Sequence, residues 1–172
     1  MEIRILTAND ASEFRQLRLE ALERDAEAFG SSAEEHRALG RDEIKARLAP
    51  DLADHFVMGA FADGQLAGTA GFFRERAIKE RHKGRIWGVY VTRGMRGGGT
   101  GRRLLQALLE RAAAIEGLEQ IVLTVSTTQA AAMSLYRSLG FESFGCERRS
   151  LKIGDRYFDE EYMVLRLGRD EV

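Results

Sequence analysis

From Val89 to Leu104 the chain runs Val-Tyr-Val-Thr-Arg-Gly-Met-Arg-Gly-Gly-Gly-Thr-Gly-Arg-Arg-Leu. A β-branched, aromatic stretch passes through a turn holding Gly94, Gly97, Gly98, Gly99 and Gly101, and then enters a strongly periodic helical segment. Strand, glycine turn and helix in that order restrict the fold sharply. The helix must lie back across the sheet that the strand belongs to, which asks for an α/β domain. The glycines let the backbone turn tightly and approach a ligand closely. The helix start offers unpaired N–H groups and the positive end of its dipole. Arg96, Arg102 and Arg103 add charge there. The segment predicts a pyrophosphate or similar anion site.

Two familiar phosphate sites are excluded by spacing. A Walker loop needs Gly-Lys-Ser/Thr after four intervening residues, and no such Lys is present. A dinucleotide fingerprint needs Gly-x-Gly-x-x-Gly, and after Gly99-Thr100-Gly101 the third glycine position holds Leu104.

The rest of the chain can be parsed around this turn. Glu2 to Leu6 alternates as a first strand, and Thr7-Ala8-Asn9-Asp10 can cap the helix expected from Ala11 to Arg24, whose apolar stripe is Phe14, Leu17, Ala21 and Leu22. Ser31 with Glu34, and Ser32 with Glu35, fit the capping-box spacing for a second helical region running to Leu48, interrupted near Gly40. Pro50 closes it. His55 to Phe61 and Gln65 to Phe73 flank Asp63-Gly64, a hairpin signal, and Arg85 to Val91 reads as a more central strand. Its Trp87 and Tyr90, three residues apart, are expected on opposite faces. Thr100 to Ala114 is the strongest helix, followed by a strand from Gln120 to Val125 and a helix from Gln129 to Leu139 ended by Gly140. Phe141 to Arg149 and Arg156 to Leu167 complete the order βααβββαβαββ. No repeat or linker divides the 172 residues, so a single domain over 1–172 is expected.

Composition sets the class. A hydrophobic fraction of 44% with 31% charged residues describes a globular chain with a real core. No apolar run approaches the ~20 residues that span a bilayer. The start at Met1 leads directly into structured sequence without a leader-like segment. A single cysteine, Cys146, excludes an internal disulfide, and a cytoplasmic location is expected. The net charge of -1 argues against general nucleic-acid binding.

At the glycine turn the chain resembles the GNAT superfamily of acetyl-CoA-dependent N-acetyltransferases. Arg96-Gly97-Gly98-Gly99-Thr100-Gly101 matches that family's Gln/Arg-x-x-Gly-x-Gly/Ala signature, directly after the strand ending in Val89-Tyr90-Val91. A second signature follows in order: Leu123-Thr124-Val125, then Gln129, then Ala132-Met133-Ser134-Leu135-Tyr136 and Gly140-Phe141. The resemblance implies a mixed, mostly antiparallel sheet, flanked by helices and splayed at the cofactor site. It implies acetyl-CoA as cofactor, with Val89 and Val91 pairing the pantetheine arm. Backbone N–H groups across Arg96, Gly97, Gly98, Gly99, Thr100, Gly101 and Arg102, reaching Arg103, would hold its pyrophosphate. The implied reaction is direct acetyl transfer to an amine, with the Val91 N–H stabilising developing negative charge. Tyr136 would be the catalytic acid that returns a proton to the departing thiolate.

The chain departs from the family pattern in two places. Gln129 stands where the family has Asn, so the pantetheine contact would come from a longer amide, or from Thr128 or Ser126. The strand from Arg85 to Val91 lacks the Glu that many relatives carry. The general base is open among Glu75, Glu80, His82, Asp159, Glu160 and Glu161, or a water. The acidic end of the last hairpin, Asp155 with Asp159, Glu160 and Glu161, is expected to rim the acceptor site and favour a cationic amine, the acceptor being a small-molecule amine or a peptide. A catalytically weak acyl-CoA-binding or regulatory module is one alternative. An RNA-linked protein using Arg74, Arg76, Lys79, Arg81, Lys83 and Arg85 is another. A homodimer stays open, and no membrane partner is expected. No metal site is expected, since His36, His55 and His82 are far apart and read as surface or capping residues. Cys146 reads as a packed or edge thiol.

Overall fold

The computed structural model describes residues 1–168, and Arg169 to Val172 lie outside the described residues. Strand β1 spans Glu2–Ile5, followed by helices α1 (Ala11–Arg24), α2 (Ala33–Ala38) and α3 (Arg41–Leu48). Strands β2 (His55–Ala62), β3 (Gln65–Arg74) and β4 (Lys83–Val91) come next, then α4 (Thr100–Ala113), β5 (Gln120–Ser126), α5 (Ala130–Ser138), β6 (Glu142–Ile153) and β7 (Arg156–Arg166). The expected element order is the observed one, with the second helical region split at Gly40 into α2 and α3. No helix among the described residues is long and apolar enough to cross a membrane.

Seven strands form one sheet in the order β1-β2-β3-β4-β5-β7-β6. Every pairing is antiparallel except β4 with β5. The mixed, mostly antiparallel sheet flanked by helices agrees with the expectation. Helix α4 buries Leu104, Leu105 and Leu108 on one face, against Phe56, Phe72, Ile86 and Ile121. Full burial of each such side chain stabilises the fold by about 1.5–3 kcal/mol. Helices α1 and α3 cover the other face, where Phe14, Ile44 and Leu48 meet Val57 and Phe61.

Local chemistry sets the helix starts. Thr7 and Asp10 close a capping box ahead of α1, and Ser32 with Glu35 closes one at α2. Of the two serine–glutamate pairs that fit that spacing, the second is used. Gly140, at φ +94, ends the last helix in the left-handed conformation that its position demanded.

Three expectations need correction. Trp87 and Tyr90 lie on the same face. Gly71 pairs with Trp87 and Thr69 with Tyr90, so a bulge adds one residue to β4 between them. Gly88 supplies it at φ +62, a conformation that disfavours a side chain. Trp87 therefore packs against the Phe14 cluster and Tyr90 against Leu17 and Ala21, all beneath α1. Strand β6 runs on to Ile153 rather than stopping at Arg149. It passes through irregular register between Glu147 and Leu151, with Arg149 at φ +58. His36 is no surface residue: it is buried, with Nε2 3.1 Å from the Arg15 carbonyl oxygen. Burial, with Arg18 and Arg47 nearby, pushes its pKa down and keeps the ring neutral.

Candidate functional site

The parallel ladder between β4 and β5 joins Lys83 to Gln120, Gly84 to Ile121 and Arg85 to Val122, and stops there. Beyond Arg85 the two strands diverge, although β4 continues to Val91 and β5 to Ser126. The opposite edge of β4 stays paired: Thr92 N–H donates to the Ala67 carbonyl at 2.9 Å. Antiparallel hydrogen bonding alternates along a strand, so Tyr90 also faces β3 while Val91 turns its N–H and C=O toward the gap. The Val91 carbonyl accepts a 2.8 Å bond from Arg96 Nε. Among the described residues, the β4–β5 ladder supplies no strand partner to Val91 on this side.

A cleft of about 400 Å³ fills this gap. Val89 and Val91 form one wall, with Leu123, Thr124 and Val125 opposite. Tyr136, Leu135 and Gln129 close it on the α5 side. Gly97, Gly99, Thr100, Gly101, Arg96 and Arg102 line the turn end. The cleft passes through the sheet to Phe29, Trp87 and Gly88 beneath α1. Val89, Val91, Arg96, Gly97, Gly99, Thr100, Gly101, Arg102, Gln129 and Tyr136 all line this cleft, whereas Gly98 and Arg103 of the turn, and Ser126 and Thr128, do not.

The turn leaves its donors free. Gly97 and Gly99 take φ +80 and +83, and nothing comes within 4 Å of a Cβ placed at Gly97, Gly98 or Gly99. The first intrahelical bond of α4 runs from the Arg103 N–H to the Gly99 carbonyl. No side chain caps this helix start. The N–H groups of Thr100, Gly101 and Arg102 therefore point outward at the positive end of the helix. Thr100 Oγ1 is buried with no hydrogen-bond partner. Gly101 is needed for closeness, since a Cβ there would sit 3.3 Å from Leu135 and 3.8 Å from Val91. Unpaired donors, open space and a missing Cβ fit a pyrophosphate-bearing cofactor.

The arginines of the turn are held in place. Asp25, just past α1, pairs with Arg93 Nη2 at 3.0 Å and Arg96 Nη2 at 2.5 Å. Burial alone would raise the Asp25 pKa, but the hydrogen bonds from Arg96 and Arg93 outweigh it and hold the carboxyl ionised. The Arg96 guanidinium also covers the Tyr90 ring at 5.2 Å, and Tyr90 Oη donates to Glu20 at 2.9 Å. Burial and that carboxylate push the Tyr90 pKa up to about 12. Arg102 reaches Ser138 Oγ at 2.7 Å and ties α4 to α5.

Tyr136 is buried, edge-on to Phe141 at 5.9 Å between centroids. Burial pushes its pKa upward, so the hydroxyl keeps its proton. Gln129 precedes α5 without capping it, and its Nε2 lies 3.4 Å from Thr128 Oγ1.

The acids considered as general base are already engaged. Glu75 pairs with Arg85 at 2.5 Å and Glu80 with Lys83 at 2.8 Å. Asp159 accepts the Arg149 N–H, Glu160 accepts from Ser150, and Glu161 pairs with Arg137. None of these, nor His82 or Asp155, lines the cleft; its one carboxylate among the described residues is Asp25. Asp159, Glu160 and Glu161 thus form pairs within and beside their own strand, and none of the hairpin acids lines the cleft. The basic run is likewise divided, with Arg81 on Asp54 at 2.7 Å and Arg74 on the Arg81 carbonyl. Cys146 is exposed on β6, an edge strand.

Arg18 was not singled out by sequence reasoning. It is 8% exposed, and its Nη1 is buried without a hydrogen-bond partner. Its guanidinium lies 4.5 Å over the Phe29 ring, and Nη1 lies 3.5 Å from where a Gly88 Cβ would be. Burial, reinforced by the charge of Arg47, pushes its pKa down to about 10. The available signal was positional: Arg18 falls at i+4 from Phe14, inside the apolar stripe of α1.

Known proteins share this arrangement. An acetyltransferase of the GNAT family from Streptococcus pneumoniae superposes with a TM-score of 0.86 at 26% identity, over 97% of this chain and 99% of that one. The yncA protein of Salmonella typhimurium, solved with its cofactor acetyl-CoA, gives 0.83 at 25% identity over 100% and 96%. A curated relative, the L-methionine sulfoximine/L-methionine sulfone acetyltransferase of Pseudomonas aeruginosa, is 37% identical over 112 residues, and the match spans 64% of each chain. With residues 15–141 matching the Acetyltransferase (GNAT) family as well, the chain belongs to that family.

Proposed function

We propose that this chain, acting as one domain in the cytoplasm, transfers the acetyl group of acetyl-CoA to an amine. The carrying observation is the gap between β4 and β5 that ends at the uncapped start of α4. In this reading the N–H groups of Thr100, Gly101 and Arg102, with the open glycine turn, bind the pyrophosphate. The gap-facing edge of Val89 and Val91 orders the pantetheine arm like an added strand, and Gln129 contacts it from the α5 side. When bound, acetyl-CoA supplies an activated acyl carbon and a thiol leaving group.

The remaining chemistry belongs to the protein. The Val91 N–H donates toward the position where negative charge develops, in a site whose walls exclude water. Tyr136 holds a proton at Oη, and its raised pKa keeps that proton available at any ordinary pH. With Asp25 held by two arginines, no cleft carboxylate is free to take the amine's proton. The amine enters already neutral, or passes its proton to water. The named relative acts on small amino-acid-like molecules, which supports a small acceptor here.

An acetyl-CoA-dependent thiol-release assay across amine classes tests this reading. Amine-dependent release is expected with at least one class. Binding of acetyl-CoA with no amine-dependent release would instead identify a binding module.

A further inference from the structure

We propose that Arg18 is a specificity residue that recognises a carboxylate on the acceptor. This rests on the acetyl-transfer reading and adds to it the acceptor's chemical class. A guanidinium is permanently charged and carries five N–H donors that match a carboxylate in plane. Buried charges in proteins are normally paired. Arg18 is 8% exposed, its Nη1 has no hydrogen-bond partner, and no carboxylate among the described residues pairs with it. The charge that acts on it is Arg47, of its own sign.

Arg18 does not itself line the cleft but lies directly behind two residues that do. Phe29 and Gly88 both line it, and the Arg18 guanidinium stacks on the first and stands beside the second. Gly88 presents no side chain to screen Nη1. The wall beside Gly88 is apolar, with Trp87, Phe29 and Ile86, so an anion arriving there meets the Arg18 cation in a weakly screening environment, while the cleft's other arginines, Arg96 and Arg102, stand at the turn end and Arg96 is held by Asp25. One guanidinium matches one negative charge, which favours a carboxylate over a phosphate dianion. Gly88 and Val91 are three residues apart on β4, and the bulge at Gly88 shortens this to about two strand steps, about 7 Å, so carboxylate and amine fit on one small molecule.

The test compares free L-amino acids and 4-aminobutanoate with their carboxamides, at equal concentrations of neutral amine. Thiol release gives KM. Fluorescence of Trp87, the one tryptophan of the chain, gives binding with and without CoA present. Acids are expected to show KM and half-saturation at least tenfold below their amides. Arg18→Met is expected to erase that preference while leaving the KM for acetyl-CoA within twofold, and Arg18→Lys to keep part of it. The melting temperature of Arg18→Met is expected to hold or rise, since the substitution removes an unpaired buried charge. Equal use of acids and amides by the unaltered protein overturns the inference, as does a preference that survives Arg18→Met. Preferential binding of acids at Trp87 without any thiol release supports the carboxylate site while rejecting acetyl transfer.

Discussion

The indole of Trp87 occupies the space that a side chain at position 71 would need. A Cβ on Gly71 would fall 2.2 Å from Trp87 Cε2. The pairing residue on β3 is thus empty so that the cleft wall on β4 can be large. Gly71→Ala is expected to force the indole out of place, at a cost of about 1–3 kcal/mol for overpacking. Thermal unfolding should fall by about 2–12 °C, at about 2–4 °C per kcal/mol for a domain of this size. The fluorescence of the sole tryptophan should shift in the same variant, and an unchanged spectrum would show that the indole had not moved.

Tyr136→Phe removes a hydroxyl and keeps the ring that packs on Phe141. Turnover is expected to fall by about 100-fold, the low end of what a positioned acid contributes. The KM for acetyl-CoA should stay within twofold. Unchanged turnover removes Tyr136 as the acid.

The absence of a free carboxylate at the cleft predicts a simple pH profile. kcat/KM should rise with pH as the acceptor amine loses its proton, and level off at the amine's own pKa. Acceptors with different amine pKa values should move the plateau accordingly. Because burial raises the Tyr136 pKa, no descending limb is expected below about pH 10. A rising limb near pH 6–7, identical for all acceptors, would instead reveal a protein base.

Asp25 holds both Arg93 and Arg96 while Arg96 holds the Val91 carbonyl. Asp25→Asn should loosen the turn without removing any N–H that would face pyrophosphate. A rise of about 3–10-fold in the KM for acetyl-CoA is expected, with stability altered by less than about 1–2 kcal/mol, as for a partly exposed ion pair. Isothermal titration with CoA checks the first part and denaturant melts the second.

Asp10 accepts two bonds from Arg4, at 2.7 and 2.9 Å, and one from the Thr7 N–H at 2.8 Å. The Arg4 hydrogen bond is the largest cause that lowers its pKa to about 2. The folded value lies below the unfolded one of about 3.9. The resulting stability is therefore fully present above pH 4 and disappears as pH falls from about 4 to about 2. Since the Arg4 side chain is 39% exposed, the contribution is about 1 kcal/mol. Asp10→Asn should cost about 1–2 kcal/mol at pH 7 with the cap included, and the gap between the two proteins should narrow toward pH 2.

Local rules carried much of the architecture. The span Ala11–Arg24 followed from a capping cluster and one apolar stripe, and the turn into α4 from its glycines. What escaped was set by partners far along the chain. The shared face of Trp87 and Tyr90 depends on one bulge, and period-two counting fails where Gly88 inserts a residue. The extension of β6 to Ile153 needs the Asp159 carboxylate to hold the Arg149 N–H across the hairpin. The acidic run of β7 looked free because its arginine and serine partners lie on other segments. Arg18 looked like one more surface cation until its neighbours were known.

Strand β4 plays two parts along nine residues. Up to Arg85 it is an interior strand with both sides bonded; from Ile86 onward its β5 side is a frontier without a neighbour. Open strand frontiers elsewhere attract other chains and are blunted by charge or proline. Here the frontier lies in the middle of the sheet, roofed by α4 and α5 on one side and α1 on the other. A second polypeptide cannot reach it, whereas a thin, flexible molecule with amide groups can. The fold thus turns a hazard of β structure into selectivity by width, before any side chain takes part.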